Sequence, residues 1–296
     1  MKLLHKLSYS ENWNIGFCNL TPSELLVKKS LPQITWLKHP YHDRWFADPF
    51  IYKVTDDEII VFVEECPMEN PKGILCELVI DRKTIRLKER YELLSLDTHL
   101  SYPIYKIING KTFVYPENGV SGMLNAYEYD EKHHRLINPR AILNEAVADA
   151  TIVNIAGNNI MTATIFPDTL KVAHLYHAVD TLNIYTRISK KPIVDNLQYA
   201  RNGGDYFHVN KCTYRPAQDC VKDYGSGLSI MKVKYEANVY SETLQFSLYP
   251  KSYRYHRGLH TLNFHKNLCV IDGYGYSYPT IGRCIALLKN LLRKIK

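Results

Sequence analysis

Five places along the chain set polar side chains at the opening of an apolar run, and together they could carry out acid–base chemistry. They are Asp48 in Trp45-Phe46-Ala47-Asp48-Pro49-Phe50, His99 and Ser101 ahead of Tyr102-Pro103-Ile104, Asp149 in Asp149-Ala150-Thr151, Arg201 and Asp205 around Gly203-Gly204, and His260 with Thr261. The segments expected to return beside them bring further acids, Glu65, Glu117, Asp219 and Asp272. Carboxylates gathered in a partly dry cavity repel one another and lose hydration, so some pKa values rise while others stay low. One residue type then supplies both a general base and a general acid. Glycosidic-bond chemistry needs such a pair on either side of an oxocarbenium-like centre. Asp48, Asp149, Glu117 and Asp219 are the catalytic candidates on this reasoning. His99, Ser101, Arg201, Asp205, Gln218, Tyr224, His260 and Asn263 are the candidates for holding substrate, with Arg201 and His260 suited to a phosphorylated group. Singly, each acid also has a plainer reading: Asp48 before Pro49 could cap a turn, and Glu65 could be solvated.

Such residues meet only if the intervening elements repeat. Each opening starts an alternating run that turns and returns: at Asn109-Gly110 after Ile104-Tyr105-Lys106-Ile107-Ile108, at Gly157-Asn158, near Asn210, and at His265-Lys266-Asn267. Asn-Gly is a strong hairpin signal because both residues tolerate positive φ. Openings at 48, 101, 149, 203 and 261 are spaced by 53, 48, 54 and 58 residues. A period of roughly 50 residues, with three or more strands per repeat and no convincing internal helix, predicts an all-β, five-bladed β-propeller. The last repeat lacks outer strands, and an orphan strand near residues 13–19 is expected to complete it and close the ring. A β-sandwich would explain the strands but not the repeated polar opening.

The expected organisation is a propeller over residues 1–280 and a tail over 281–296. In that tail Ile285, Leu287, Leu288, Leu291, Leu292 and Ile295 interleave with Arg283, Lys289, Arg293, Lys294 and Lys296, the pattern of a short basic amphipathic helix. It could pack on the propeller or rest on an anionic membrane surface. The 296 residues are 46% hydrophobic, enough for a sizeable core, and carry a net charge of +7. That balance suits an anionic ligand or membrane surface without demanding nucleic acid. Seven cysteines with no CxxC pair point to free thiols in a reducing compartment rather than zinc, and no ligand spacing argues for a metal. Gly225-Ser226-Gly227 and Gly203-Gly204 lack the strand-to-helix setting of nucleotide-binding loops, so no cofactor is expected. Residues 1–6 are too short an apolar run for a signal peptide, and no stretch approaches the ~20 apolar residues of a membrane span. The expected location is cytoplasmic, peripheral to the inner face of the cytoplasmic membrane.

Ala47-Asp48-Pro49-Phe50, Asp149-Ala150-Thr151 and an acid in the second blade resemble the five-bladed propeller glycosidases of the arabinanase, xylosidase and fructosidase type. The series WFADPF…VFVEE, HLSYPI…GKTFVYPE, DATIV, ARNGGDYF, YRPAQDCVKDYGSGLSI and LHTLNFHKNLCVIDG is similar, more closely, to the N-terminal propeller domain of glucosamine inositolphosphorylceramide transferases. Similar domains accompany bacterial surface-polysaccharide synthesis. The resemblance implies that Asp48 takes the place of the glycosidases' general base. It puts Asp149 where those enzymes usually have a glutamate acid, and Ser101 where they have a second-blade aspartate, with Glu117 one strand further on. Arg215-Pro216-Ala217-Gln218-Asp219 and Tyr224-Gly225 belong to the closer family only. The plant transferases carry an additional transferase domain with no counterpart here. The resulting expectation is a glycosyltransferase of cell-surface glycan assembly, acting on a saccharide or lipid-linked saccharide acceptor with a phosphorylated sugar donor. A glycoside hydrolase and a non-catalytic glycan-binding module are the alternatives.

Overall fold

The structure is a computed structural model that describes residues 11–294, with side chains through residue 288. Residues 1–6, read above for a leader, lie outside the described residues, as do Ile295, Lys296 and the side chains of Lys289, Leu291, Leu292, Arg293 and Lys294.

Strands β1 (Asn12–Asn19) and β2 (Thr35–Trp36) flank helix α1 (Pro22–Lys28). The first blade is β3 (Arg44–Val54), β4 (Glu58–Pro67), β5 (Ile74–Asp81) and β6 (Arg86–Leu94). The second is β7 (Tyr105–Ile108), β8 (Lys111–Val114), β9 (Leu124–Asp130) and β10 (Arg135–Leu143). The third is β11 (Val147–Ile155), β12 (Asn158–Ile165) and β13 (Val172–Ala178), edged by β14 (Thr186–Arg187) and β15 (Val194–Asp195). The fourth is β16 (Phe207–Val209), β17 (Cys212–Asp219), β18 (Gly227–Glu236) and β19 (Val239–Leu248). Last come β20 (Leu262–His265), β21 (Leu268–Gly275) and helix α2 (Pro279–Lys294).

The fifth sheet has the order β2-β1-β21-β20. Strand β1 pairs antiparallel with β21 from Asn12↔Gly275 to Asn19↔Leu268. The two ends of the chain therefore share one blade, and the ring closes without leaving β21 an open edge. The fold is the five-bladed propeller with a C-terminal helix that the repeat period predicts.

Local chemistry explains the hairpins. Asn109 and Gly110 take φ of 51° and 77°, and Asn210 and Lys211 take 49° and 62°. Two successive positive φ values match the right-handed twist of the flanking strands. The third turn falls on Ala156-Gly157, at 51° and 83°, one residue earlier than the Gly-Asn pair suggests. The expectation of no internal helix is corrected by α1. Thr21 caps it with a capping box to Glu24, Pro22 opens it and Lys29 ends it in the left-handed conformation. Seven residues are too few for helical periodicity to stand out against a polar background.

The core lies between blades rather than at one centre. One cluster runs from Phe50 through Tyr102, Tyr115 and Ile142 to Met161 and Tyr176. A second joins Ile15 and Val270 to Phe46, Val61 and Leu78, and a third joins Leu25 and Ile271 to Leu228 and Ile230. All seven cysteines are free. No helix among the described residues is long and apolar enough to cross a membrane.

Candidate active site

Asp48, Tyr102 and Asp149 sit at matching points of the first three blades, and all three are in the left-handed region, with φ of 50°, 49° and 46°. The register slips between Ala47 and Phe50 and between Ala148 and Thr151, so each aspartate stands on a bulge at the start of its innermost strand. A non-glycine residue held there costs on the order of 1–2 kcal/mol, which the surroundings must offset. They do so with hydrogen bonds that cross between blades. Asp48 Oδ2 accepts Tyr102 N–H at 3.0 Å, and Asp48 Oδ1 accepts the Thr261 hydroxyl at 2.8 Å. Asp48 N–H donates to Asp272 Oδ2 at 3.1 Å, and Asp149 N–H to Glu117 Oε2 at 3.1 Å.

Asp272 organises the fifth blade. It has no exposed surface, and its Oδ1 accepts the backbone N–H groups of His260 (3.0 Å) and Thr261 (2.9 Å). Its Oδ2 lies 2.6 Å from His260 Nδ1, and His260 Nε2 lies 3.8 Å from Asp48 Oδ1. Burial works against a charged imidazole, but Asp272 and Asp48 outweigh it and lift His260 to about 9. Burial pushes Asp48 up to about 6 against the pull of His260, with Asp149 and Asp272 adding to the rise. Near neutral pH the pair therefore reads as a carboxylate facing an imidazolium. Asp48, His260 and Asp272 also offer three metal-ligating atoms within 4.8 Å of one another. Both oxygens of each aspartate accept N–H or O–H donors, so the three residues also belong to one hydrogen-bonded network.

A second network surrounds Asp149. Arg201 Nε is 2.6 Å from Asp149 Oδ2, and its Nη2 is 3.1 Å from Glu117 Oε2. Gln218 Nε2 donates to Asp149 Oδ2 at 2.7 Å. Burial and Glu117 push Asp149 up to about 7, while Arg201 pulls against them. With a permanently charged guanidinium in contact, the carboxylate is the form these partners favour.

The two networks open on a cavity of about 350 Å³. Its walls carry Trp13, Trp45, Tyr224 and Tyr274, the acids Glu11, Asp48, Glu64, Glu117 and Asp223, and the bases His99, Arg201, Arg257 and His260. Trp13, brought by the closing strand β1, stacks on His260 with centroids 4.0 Å apart. Glu64 Oε1 lies 3.1 Å from His99 Nε2 but off the line of a hydrogen bond. His99 Nδ1 accepts Gly73 N–H at 2.9 Å, which leaves Nε2 as the protonated nitrogen facing Glu64. Burial raises the Glu64 carboxyl, and Glu64 in turn raises His99.

The expected residues divide into three groups. Asp48, His99, Ser101, Glu117, Arg201, Tyr224 and His260 line the cavity. Asp149 and Gln218 sit behind it and hold Arg201 and each other. Three stand elsewhere. Asp205 and Asn263 face a separate hollow of about 270 Å³, where Lys106 Nζ lies 2.8 Å from Asp205. Asp219 is tied to the Tyr249 hydroxyl (2.8 Å) and Val221 N–H (3.1 Å), outside the cavity. Glu65, counted among the converging acids, faces the other way and pairs with Arg44 and Arg90; its neighbour Glu64 faces the cavity instead. Side chains alternate along a strand, so a phase error of one residue exchanges the two. Sequence reasoning left Glu11, Trp13, Trp45, Asp223, Arg257 and Tyr274 out of the site. Only the Trp45-Phe46-Ala47-Asp48 stretch pointed toward any of them.

The molecule is thus a five-bladed propeller of the kind found in glycoside hydrolases, a likeness of fold alone. A family 117 glycoside hydrolase from Zobellia galactanivorans matches with a TM-score of 0.56 and 9% identity, over 90% of this chain and 91% of that one. The catalytic domain of the GH62 α-L-arabinofuranosidase from Coprinopsis cinerea matches with 0.57 and 9%, over 75% and 78%. The chain belongs to the family described as "Glucosamine inositolphosphorylceramide transferase 1, N-terminal", whose model matches residues 34–262. Glucosamine inositolphosphorylceramide transferase 1 of Arabidopsis thaliana is 25% identical over 202 residues, 64% of this chain and 26% of that protein. The same-named protein of Oryza sativa subsp. japonica is 24% identical over 204 residues, 66% and 27%. The chain therefore spans about a quarter of the length of the curated relatives it matches. Family membership ties it to carbohydrate chemistry.

Proposed function

We propose that the propeller is a glycosyltransferase that moves a sugar from a phosphorylated donor onto a saccharide acceptor within this cavity. The observation that carries the reading is the mixture of its walls. The exposed ring of Tyr224 offers a surface for a sugar beside a buried carboxylate, with cations in nearly the same number as acids. A hydrolase needs the acids; the added Arg201, Arg257 and His260 suit a departing phosphate. Asp48 is the base that takes the acceptor hydroxyl's proton. Each of its oxygens keeps a lone pair beyond the one engaged by Tyr102 or Thr261, and a pKa near 6 suits a base working near neutrality. Glu117 orients sugar hydroxyls, and Asp149 with Gln218 holds Arg201 in place. The relatives named as transferases support this reading.

Glycoside hydrolysis is the second reading. It is favoured by Glu64, which lines the same cavity as Asp48 and whose buried, raised carboxyl suits a proton donor. The test incubates the chain with a panel of nucleotide sugars and lipid-linked saccharide acceptors, wild type beside Asp48→Asn. Transfer should appear only with a donor and fall by about 10²-fold or more in the variant. Sugar released from arabinan-, xylan- or fructan-type oligosaccharides without any donor supports hydrolysis. Calorimetric binding with no turnover of either kind identifies a binding module.

A further inference from the structure

Helix α2 lies one aromatic ring away from the cavity. Arg257, on the cavity wall, sits 5.5 Å over the ring of Tyr276. A Cβ added to Gly282 would come within 2.4 Å of the same ring. Arg283 fastens the helix further, donating to Tyr253 carbonyl at 2.7 Å and lying 4.2 Å over the Tyr253 ring. Tyr253 hydroxyl and Thr280 Oγ1 are 3.1 Å apart.

The other side of the helix is not covered by any of the described residues. Ile281, Cys284 and Leu288 share one face at helical spacing and are exposed, as is Leu287. In sequence the same spacing continues with Leu291, Leu292 and Ile295. Tyr249, Tyr253 and Tyr278 are exposed nearby, at 54%, 61% and 44% of their surfaces. Lys251 and Arg254 flank Tyr253 and are exposed as well. No acid occurs in residues 249–257 or anywhere after Asp272, while basic residues recur through both segments. An apolar stripe with exposed tyrosines and basic side chains, in segments that carry no acid of their own and meet Asp219 through the Tyr249 hydroxyl, is the chemistry of a surface that meets anionic headgroups.

We propose that α2 and the segment 249–254 form a docking face for an anionic bilayer, which sets the cavity beside the membrane surface. The apolar stripe enters the headgroup boundary, the tyrosines settle at its edge and the lysine and arginine side chains meet the lipid phosphates. Docked in this way, the propeller meets an acceptor held in the membrane. The face does not depend on which reaction the cavity carries out, because its test needs no turnover.

The full chain is mixed with phosphatidylcholine vesicles and with vesicles containing phosphatidylglycerol, and bound protein is measured by sedimentation. Binding is expected to the anionic vesicles only and to weaken as salt rises. Each basic residue near such a surface is worth roughly five-fold in partitioning. Charge reversal by Lys251→Glu with Arg254→Glu should therefore lower binding at least ten-fold. Leu287→Ser with Leu288→Ser should lower it comparably, with the thermal transition unchanged because both side chains are exposed. The inference is overturned by equal binding to both vesicle types, by no binding to either, or by double variants that bind as the wild type does. It is also overturned if the leucine variant dissolves a dimer seen without vesicles, since the stripe would then belong to a second copy.

Discussion

Arg215 is the largest fully buried side chain among the described residues, and its contacts explain its place in the block Arg215-Pro216-Ala217-Gln218-Asp219. Its guanidinium pairs with Glu242 through Nε (3.0 Å) and Nη2 (2.6 Å). It also donates to the carbonyls of Tyr199 (2.6 Å) and Ala200 (3.3 Å) and to Asn202 Oδ1 (3.0 Å). The segment so fastened carries Arg201 into the cavity, so Arg215 is a positioning residue. Arg215→Met leaves Glu242 buried without its partner and should cost about 3–5 kcal/mol in chemical denaturation. The Glu242→Gln variant keeps one acceptor oxygen for Arg215, which also retains its acceptors on Tyr199, Ala200 and Asn202, and should cost less. In the sequence, Arg215 marked the block but gave no sign of its partner, which lies 27 residues away on β19.

At the scale of elements, β1 has two duties. It supplies the third strand of the closing blade, and it brings Trp13 against His260. Its inward side chains Ile15 and Phe17 are buried in the cluster with Phe46, Val61 and Val270. Ile15→Ala deletes buried carbon where blades one and five meet and should lower stability by about 2–5 kcal/mol. Because that strand joins the chain's ends, the loss should appear in a single cooperative transition that circular dichroism and tryptophan fluorescence report together. Separate transitions from the two probes would show that the blades melt independently. The alternation of β1 was readable from Trp13-Asn14-Ile15-Gly16-Phe17-Cys18. Its place beside β21 followed from the incomplete last repeat.

At the scale of the whole molecule, buried ionisable groups from the first, third and fifth blades act on one another, which makes stability depend on pH. Burial raises Asp48 from 3.8 to about 6 and Asp149 from 3.8 to about 7. A carboxyl whose folded pKa is raised binds its proton more tightly when folded. Its contribution is complete below the unfolded value near 3.8 and is lost as pH rises through 6 to 7. His260, raised from 6.5 to about 9, contributes fully below 6.5 and loses that contribution as pH rises through 9. From these sites, unfolding free energy should decline from pH 4 to 7 and again toward pH 9. The check is a series of urea titrations across that range, with Asp48→Asn expected to flatten the lower part. An identical slope in the variant would remove Asp48 from the account.

The repeat period, the hairpin turns and the ring closed by an N-terminal strand were set by the sequence, because turn chemistry and strand alternation act over a few residues and recur along the chain. Asp48, Asp149 and Glu117 could be singled out for the same reason. What the tertiary structure decided was orientation and company. Successive side chains of β4 point to opposite faces, so Glu64 rather than Glu65 meets the cavity, while Asp205, Asn263 and Asp219 turn elsewhere. Asp48 touches Asp272 across 224 positions of sequence, and His260 stands between them. No local pattern encodes such a meeting; it exists only once the blades have packed and the ring has closed.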